Sequence, residues 1–175
     1  MKKIFVGFMT LFTGTIFAQV AIGKSSVTNT SVSLEFGNEN RGVIVPWVSS
    51  ASTLVTAVPG TIVYDLSDQK LKIRYVSGWK DMSIRIGAIT AQQLSVQDGK
   101  TESTDAKVII GPQDNGDNAP GILVLSATDK AMILPKVAKP YENIINPSPG
   151  TMAYDTISRK LCIFNGKQWT FWYAQ

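Results

Sequence analysis

Apolar and polar side chains alternate strictly along Lys70–Tyr75. Leu71, Ile73 and Tyr75 fall on one side of an extended chain, and Lys70, Lys72 and Arg74 on the other. A period of two is the mark of a half-buried β-strand. Ser33–Phe36 alternates in the same way, with Leu34 and Phe36 on one face. Thr61–Asp65 precedes the longer strand, and Leu66-Ser67-Asp68-Gln69 between them predicts a hairpin turn. Further on, Asn165-Gly166 supplies the two positive φ angles that a tight hairpin favours, with Trp169 on the return strand. Pro46 and Pro135 end short apolar runs, and the segments from there to Pro59 and Pro149 read as irregular or briefly helical.

These elements occur twice. Gly60-Thr61-Ile62-Val63-Tyr64-Asp65 matches Gly150-Thr151-Met152-Ala153-Tyr154-Asp155, Lys70-Leu71-Lys72-Ile73 matches Lys160-Leu161-Cys162-Ile163, and Trp79 matches Trp169, all at an offset of 90 (150 − 60). Upstream, Pro46 meets Pro135, Arg41 meets Lys130, and Leu34-Glu35-Phe36 meets Leu123-Val124-Leu125 at an offset of 89 (135 − 46). Val20-Ala21-Ile22-Gly23 meets Val108-Ile109-Ile110-Gly111 at 88 (108 − 20). The order never breaks, which is the signature of an internal repeat. The fold expected is mainly β: two tandem copies of a small antiparallel β-meander module joined by a linker. Module A occupies 19–82, the joining segment 83–106 and module B 107–175. The second half of the joining segment is polar and reads as a loop. Tyr64, Trp79, Tyr154 and Trp169 are expected in the core of the repeat, because aromatics at matched positions most simply pack the repeat itself. The alternative is an aromatic platform for sugars.

Outside the repeat, residues 1–18 change the picture most. Lys2 and Lys3 precede the uncharged apolar stretch Ile4–Phe17, which ends at the small residue Ala18. That order is a secretory signal peptide, and the stretch falls short of the ~20 residues that span a bilayer. The mature chain is therefore expected to begin at Gln19, outside the cell or on its surface. The net charge is +4, from 17 Lys and Arg against 13 Asp and Glu. Losing Lys2 and Lys3 leaves 15 against 13, or +2, with no basic run, so nucleic acid is not an expected partner. No later stretch is long and apolar enough for a transmembrane segment.

The chain has no His and one Cys, Cys162. An internal disulfide, a Cys/His zinc site and the Ser–His and Cys–His nucleophile pairs are all excluded. Catalysis would rest on carboxylates, Lys or Tyr, and no pair of them stands in an active-site context. No cofactor is implied. Asp114-Asn115-Gly116-Asp117-Asn118 has the composition of a calcium loop but not the alternating ligand spacing, and it reads as a polar turn.

The ordered pattern is Val-x-Ile-Gly, an apolar strand, Lys130 before an apolar run to Pro135, Gly150 before Tyr154-Asp155, and Leu161 before Asn165-Gly166 and Trp169. It resembles a repeat family of secreted and surface proteins of bacteria and is similar to segments of phage tail-fibre-like proteins. Copy A departs from it at the last turn, where it has Ser77-Gly78. The resemblance implies an extracellular structural or adhesive β-module, often in oligomeric fibres, and no catalytic residues.

Comparing the copies position by position adds one expectation. Glu35, Lys72, Arg74 and Asp81 of copy A become Val124, Cys162, Phe164 and Phe171 of copy B, with Trp172 and Tyr173 close behind. If copy A's side is wet, the same side of copy B is an exposed apolar patch, which marks an interface. Val124, Cys162, Phe164, Phe171 and Trp172 are the candidate interface, and a second copy of the chain is the expected partner. A surface glycan or another protein bound by a monomer is the alternative.

Overall fold

The computed structural model describes residues 19–95, 97, 99–101, 103, 106–111 and 120–173. The stretch 1–18, expected to be a signal peptide, and 114–118, expected to be a polar turn, lie outside the described residues. Copy A contains β1 (Val20–Ile22), β2 (Val32–Phe36), β3 (Val43–Ile44), β4 (Trp47–Val48), a 3-10 turn at Ala51–Thr53, β5 (Ile62–Asp65), β6 (Lys70–Tyr75) and β7 (Gly78–Asp81). A short helix, α1 (Ala91–Leu94), lies in the joining segment. Copy B repeats the set: β8 (Val108–Ile110), β9 (Leu123–Leu125), β10 (Ala131–Ile133), β11 (Lys136–Val137), α2 (Pro140–Asn143), β12 (Thr151–Asp155), β13 (Lys160–Phe164) and β14 (Trp169–Trp172). The fold is mainly β.

The expected antiparallel meanders are β5-β6-β7 and β12-β13-β14. Both first hairpins turn through a left-handed residue at matching positions, Gln69 and Arg159 (φ 57° in each). The Asp ending each Tyr-Asp pair organises the turn. Asp65 accepts from Ser67 N and Oγ and from Ala51 N. Asp155 accepts from Ile157 N, Ser158 Oγ and Lys139 N. Burial opposes ionisation of both carboxyls, but these hydrogen bonds outweigh it and hold both below the usual carboxylate range.

The last turn differs from expectation. Of Asn165-Gly166 only Gly166 has a positive φ. Asn165 instead accepts from Lys167 N and Gln168 N through Oδ1, so its side chain rather than a left-handed backbone shapes the turn.

Each copy also carries parallel pairs that the alternation does not foretell: β1 with β2 and β4 with β5, matched by β8 with β9 and β11 with β12. Their registers repeat. Trp47 faces Tyr64 where Lys136 faces Tyr154, and Val20 faces Leu34 where Val108 faces Leu123.

The copies stack like successive turns of a short β-solenoid. β2 of copy A takes β10 of copy B as a parallel neighbour, and β3 of copy A pairs antiparallel with β12 of copy B. One core cluster lies at this junction: Val45, Tyr64 and Leu71 from copy A, Met152 and Ile163 from copy B. The copies are thus not separately cored units on a linker. The joining segment is itself part of the junction at its start. Ser83 and Gly87 are buried, Gly87 N donates to Gln69 O, and Ala88 N donates to Asn165 O. Asn165 Nδ2 in turn donates to Arg85 O at 2.8 Å. A side chain at Gly87 would place its Cβ 1.8 Å from that Asn165 carbonyl oxygen, so glycine is required by the close approach.

Candidate functional site

The aromatic residues at matched positions do not share one environment. Tyr64 is fully buried, tilted against Trp47, and its hydroxyl donates to Asn165 O at 2.9 Å. Tyr154 is 37% exposed, which corrects its expected place in the core: among the described residues no further copy stacks on it. Trp79 and Trp169 are half-buried and lie over their cross-strand partners, Arg74 and Phe164, rather than in the centre.

The five candidate interface residues do not form one patch. Cys162 is fully buried. Its cross-strand partner Phe171 packs edge-on against Tyr141 of α2, with ring centroids 5.7 Å apart. Trp172 packs against the core cluster and donates through Nε1 to Met82 O at 2.7 Å. Phe164 is half-buried under Trp169. Val124 stands apart from the others on β9, half-buried.

The physical reason lies in cross-strand pairing. In copy A the pair is Lys72 and Asp81. Lys72 Nζ reaches Asp81 Oδ1 at 3.0 Å and also bonds Asp68, while Lys70 bonds Asp81 at 2.6 Å. Burial pulls the Lys72 ammonium down, but these carboxylates outweigh it and leave it above its usual range. In copy B the pair is Cys162 and Phe171: Cys162 is fully buried, while Phe171 is 40% exposed and only partly covered by Tyr141. Burial, with the Asp155 charge adding to it, pushes the Cys162 thiol up to about 11, the reverse of a nucleophile's environment.

Copy A's expected wet side is also not wet at β2. Glu35 is buried, and it accepts from Lys24 Nζ at 2.7 Å and from Thr28 N and Oγ1. Those bonds, Lys24's first, hold it down to about 2.

Two concave surfaces among the described residues bear on the site. One, about 330 Å³, is lined by Ile84, Phe171, Trp172 and Tyr173. The other, about 310 Å³, is lined by Met132, Ile133, Leu134, Lys136 and Tyr154. The second was not among the candidates. Its signal in the sequence is that each lining residue is the repeat counterpart of a residue at copy A's end of the junction: Val43, Ile44, Val45, Trp47 and Tyr64. Among the described residues no three Cys, Asp or Glu side chains gather as a metal site, and no helix is long and apolar enough to cross a membrane. No family model matches the chain, and no curated protein or solved structure is significantly similar to it.

Proposed function

We propose that the chain is a secreted, non-catalytic structural or adhesive β-repeat protein that works by association through its C-terminal copy. One observation carries this reading: among the described residues, the buried carboxylates and the buried Asn165 are committed to architecture. Glu35, Asp65, Asp155 and Asn165 are each saturated by strand, turn or junction hydrogen bonds. The two depressions described above are lined mainly by apolar and aromatic side chains of copy B. The leader at 1–18 and the resemblance to secreted repeat proteins support export.

A second reading, a monomeric extracellular carbohydrate- or protein-binding module, is favoured by the depression beside Phe171, Trp172 and Tyr173, where aromatic side chains stand exposed or half-exposed. Light scattering of the exported protein over a wide concentration range, followed by a glycan array, separates the two. Association without glycan binding supports the first reading; a monomer that binds glycans through Phe171 or Tyr173 supports the second. N-terminal mass analysis of the exported protein should find Gln19 first, and an intact Met1 would remove the export premise.

A further inference from the structure

We infer that copy B of one chain docks onto copy A of the next, continuing the stack head to tail. The inference rests on the associative reading above and names the two surfaces that meet.

Inside the chain, the junction is made by a donor end and an acceptor end. The donor is the Pro149-Gly150-Thr151-Met152 edge of copy B. Trp47 Nε1 donates to Pro149 O at 2.8 Å, Val45 N to Gly150 O at 3.3 Å, and Thr151 and Met152 pair with Ile44 and Val43. A methyl group at Gly150 would lie 3.2 Å from both Tyr64 Cβ and Val45 Cγ2, so the strand sits directly on these side chains. The acceptor is Val43, Ile44, Val45, Trp47 and Tyr64.

Each end exists a second time without an occupant. The counterpart acceptor is the open groove of Met132, Ile133, Leu134, Lys136 and Tyr154. The counterpart donor is Pro59-Gly60-Thr61-Ile62 of copy A, already in the donor's shape. Thr61 Oγ1 donates to Val58 O at 2.8 Å as Thr151 Oγ1 does to Ser148 O at 2.6 Å. Gly60 N donates to Arg74 O at 2.9 Å as Gly150 N does to Phe164 O at 2.8 Å. A methyl group at Gly60 would meet nothing within 4 Å.

The second sheet has the same vacancy. β2 lies between β1 and β10, and its Val32, Ser33, Leu34 and Glu35 are buried. Among the described residues its counterpart β9 pairs with β8 alone, and Leu123 is 48% exposed. The strand that would lie beside β9 is β3 of the next chain, whose Ile44 is 54% exposed. Repeating the internal registers sets Thr61 of the next chain opposite Ile133, and Ile44 of the next chain opposite Val124. Lys136 stands where Trp47 donates, so its ammonium can take the carbonyl of Pro59 in the next chain.

A second copy of this chain is the occupant that fits, because it alone carries the donor already seated once within the molecule. Repeat stacks that end as monomers carry polar caps. Here the open edges are uncapped, apolar and complementary to each other. The contact joins different surfaces, so it propagates into a filament rather than closing as a two-fold dimer.

The test uses Thr61→Cys and Ile133→Cys in separate full-length exported chains; Cys162, being buried, stays out of the reaction. Under mild oxidation the two variants mixed should form disulfide-linked pairs of chains, and neither should do so alone. A chain carrying both should give a ladder at multiples of one chain. Tyr154→Arg, which charges the groove at a partly exposed position, should lower the mass by light scattering to that of one chain while leaving the circular dichroism spectrum unchanged. Linking of either variant with itself overturns the head-to-tail arrangement. So does a wild type that associates while the mixed variants do not link, a result that leaves the associative reading standing. A wild type that stays monomeric at every concentration overturns both.

Discussion

The hydroxyl of Tyr64 closes on the main-chain carbonyl of Asn165 at 2.9 Å, binding the first copy to the last turn of the second. Its repeat counterpart Tyr154, likewise followed by Asp, is 37% exposed. Tyr64→Phe should cost about 1 kcal/mol and Tyr64→Ala about 3–5 kcal/mol, the range for emptying a buried aromatic site. Tyr154→Ala should cost under about 1 kcal/mol in dilute, dissociated protein. Urea titrations of the three variants measure this, and equal losses at the two alanine positions would contradict it. Burial also lifts the Tyr64 phenol to about 12, with the Asp68 charge adding to the shift. A folded value above the ordinary value near 10 means that its contribution is complete below about pH 10 and is lost as pH rises toward 12. Ultraviolet titration of the folded protein should show one tyrosine ionising late.

Glu35 sets the acid limit of the same junction. Its carboxyl is held at about 2 by Lys24 and Thr28, below the 4.5 of a free glutamate. A lowered folded value contributes stability above about pH 4.5 that disappears as pH falls toward 2. Thermal melts between pH 2 and 7 should show a steep loss in that window. Glu35→Gln should be less stable at pH 7 and should flatten the profile there; an unchanged slope would show that other carboxyls carry the acid transition.

Lys72 with Asp81 and Cys162 with Phe171 are the same cross-strand pair in two chemistries. Cys162→Lys alone should cost about 3–5 kcal/mol, the penalty of a buried charge without its partner. Phe171→Asp should restore that partner. The double variant should lie about 0.5–3 kcal/mol above the sum of the single losses. Strict additivity would mean that the two positions do not share a face.

Much of each copy is legible in its residues. The strict alternation at Lys70–Tyr75 marks the longest strand, and the 90-residue offset between Gly60 and Gly150 marks the meanders twice. The parallel pairs were not legible, because β4 and β11 have two residues each and β1, β8 and β9 three. A period of two cannot declare itself in so short a span. Burial of the tyrosines was legible only as an average of two unlike places. Tyr64-Asp65 and Tyr154-Asp155 are locally identical, and what differs is whether another copy lies on top. The groove at Met132 was missed for that reason: it is an acceptor only by comparison with Val43, not by any chemistry of its own. The exchange of Asp81 for Phe171 was visible, yet its ring neighbour Tyr141 comes from α2 of the same copy, and single-position comparison does not disclose such a neighbour.

The pairing of β2 with β10 and of β3 with β12 has a consequence for assembly in time. A chain emerging N-terminus first has all of copy A available before Met132 or Met152 exists to meet it. Leu34, Val45 and Tyr64 then have no lid, and the hairpins already made have nothing to close against. Folding waits for contacts 99 (131 − 32) and 107 (151 − 44) residues downstream, Val32 with Ala131 and Ile44 with Thr151. Such long-range closure is slow and leaves strand edges bare meanwhile. During that interval the bare edges can capture the wrong neighbour.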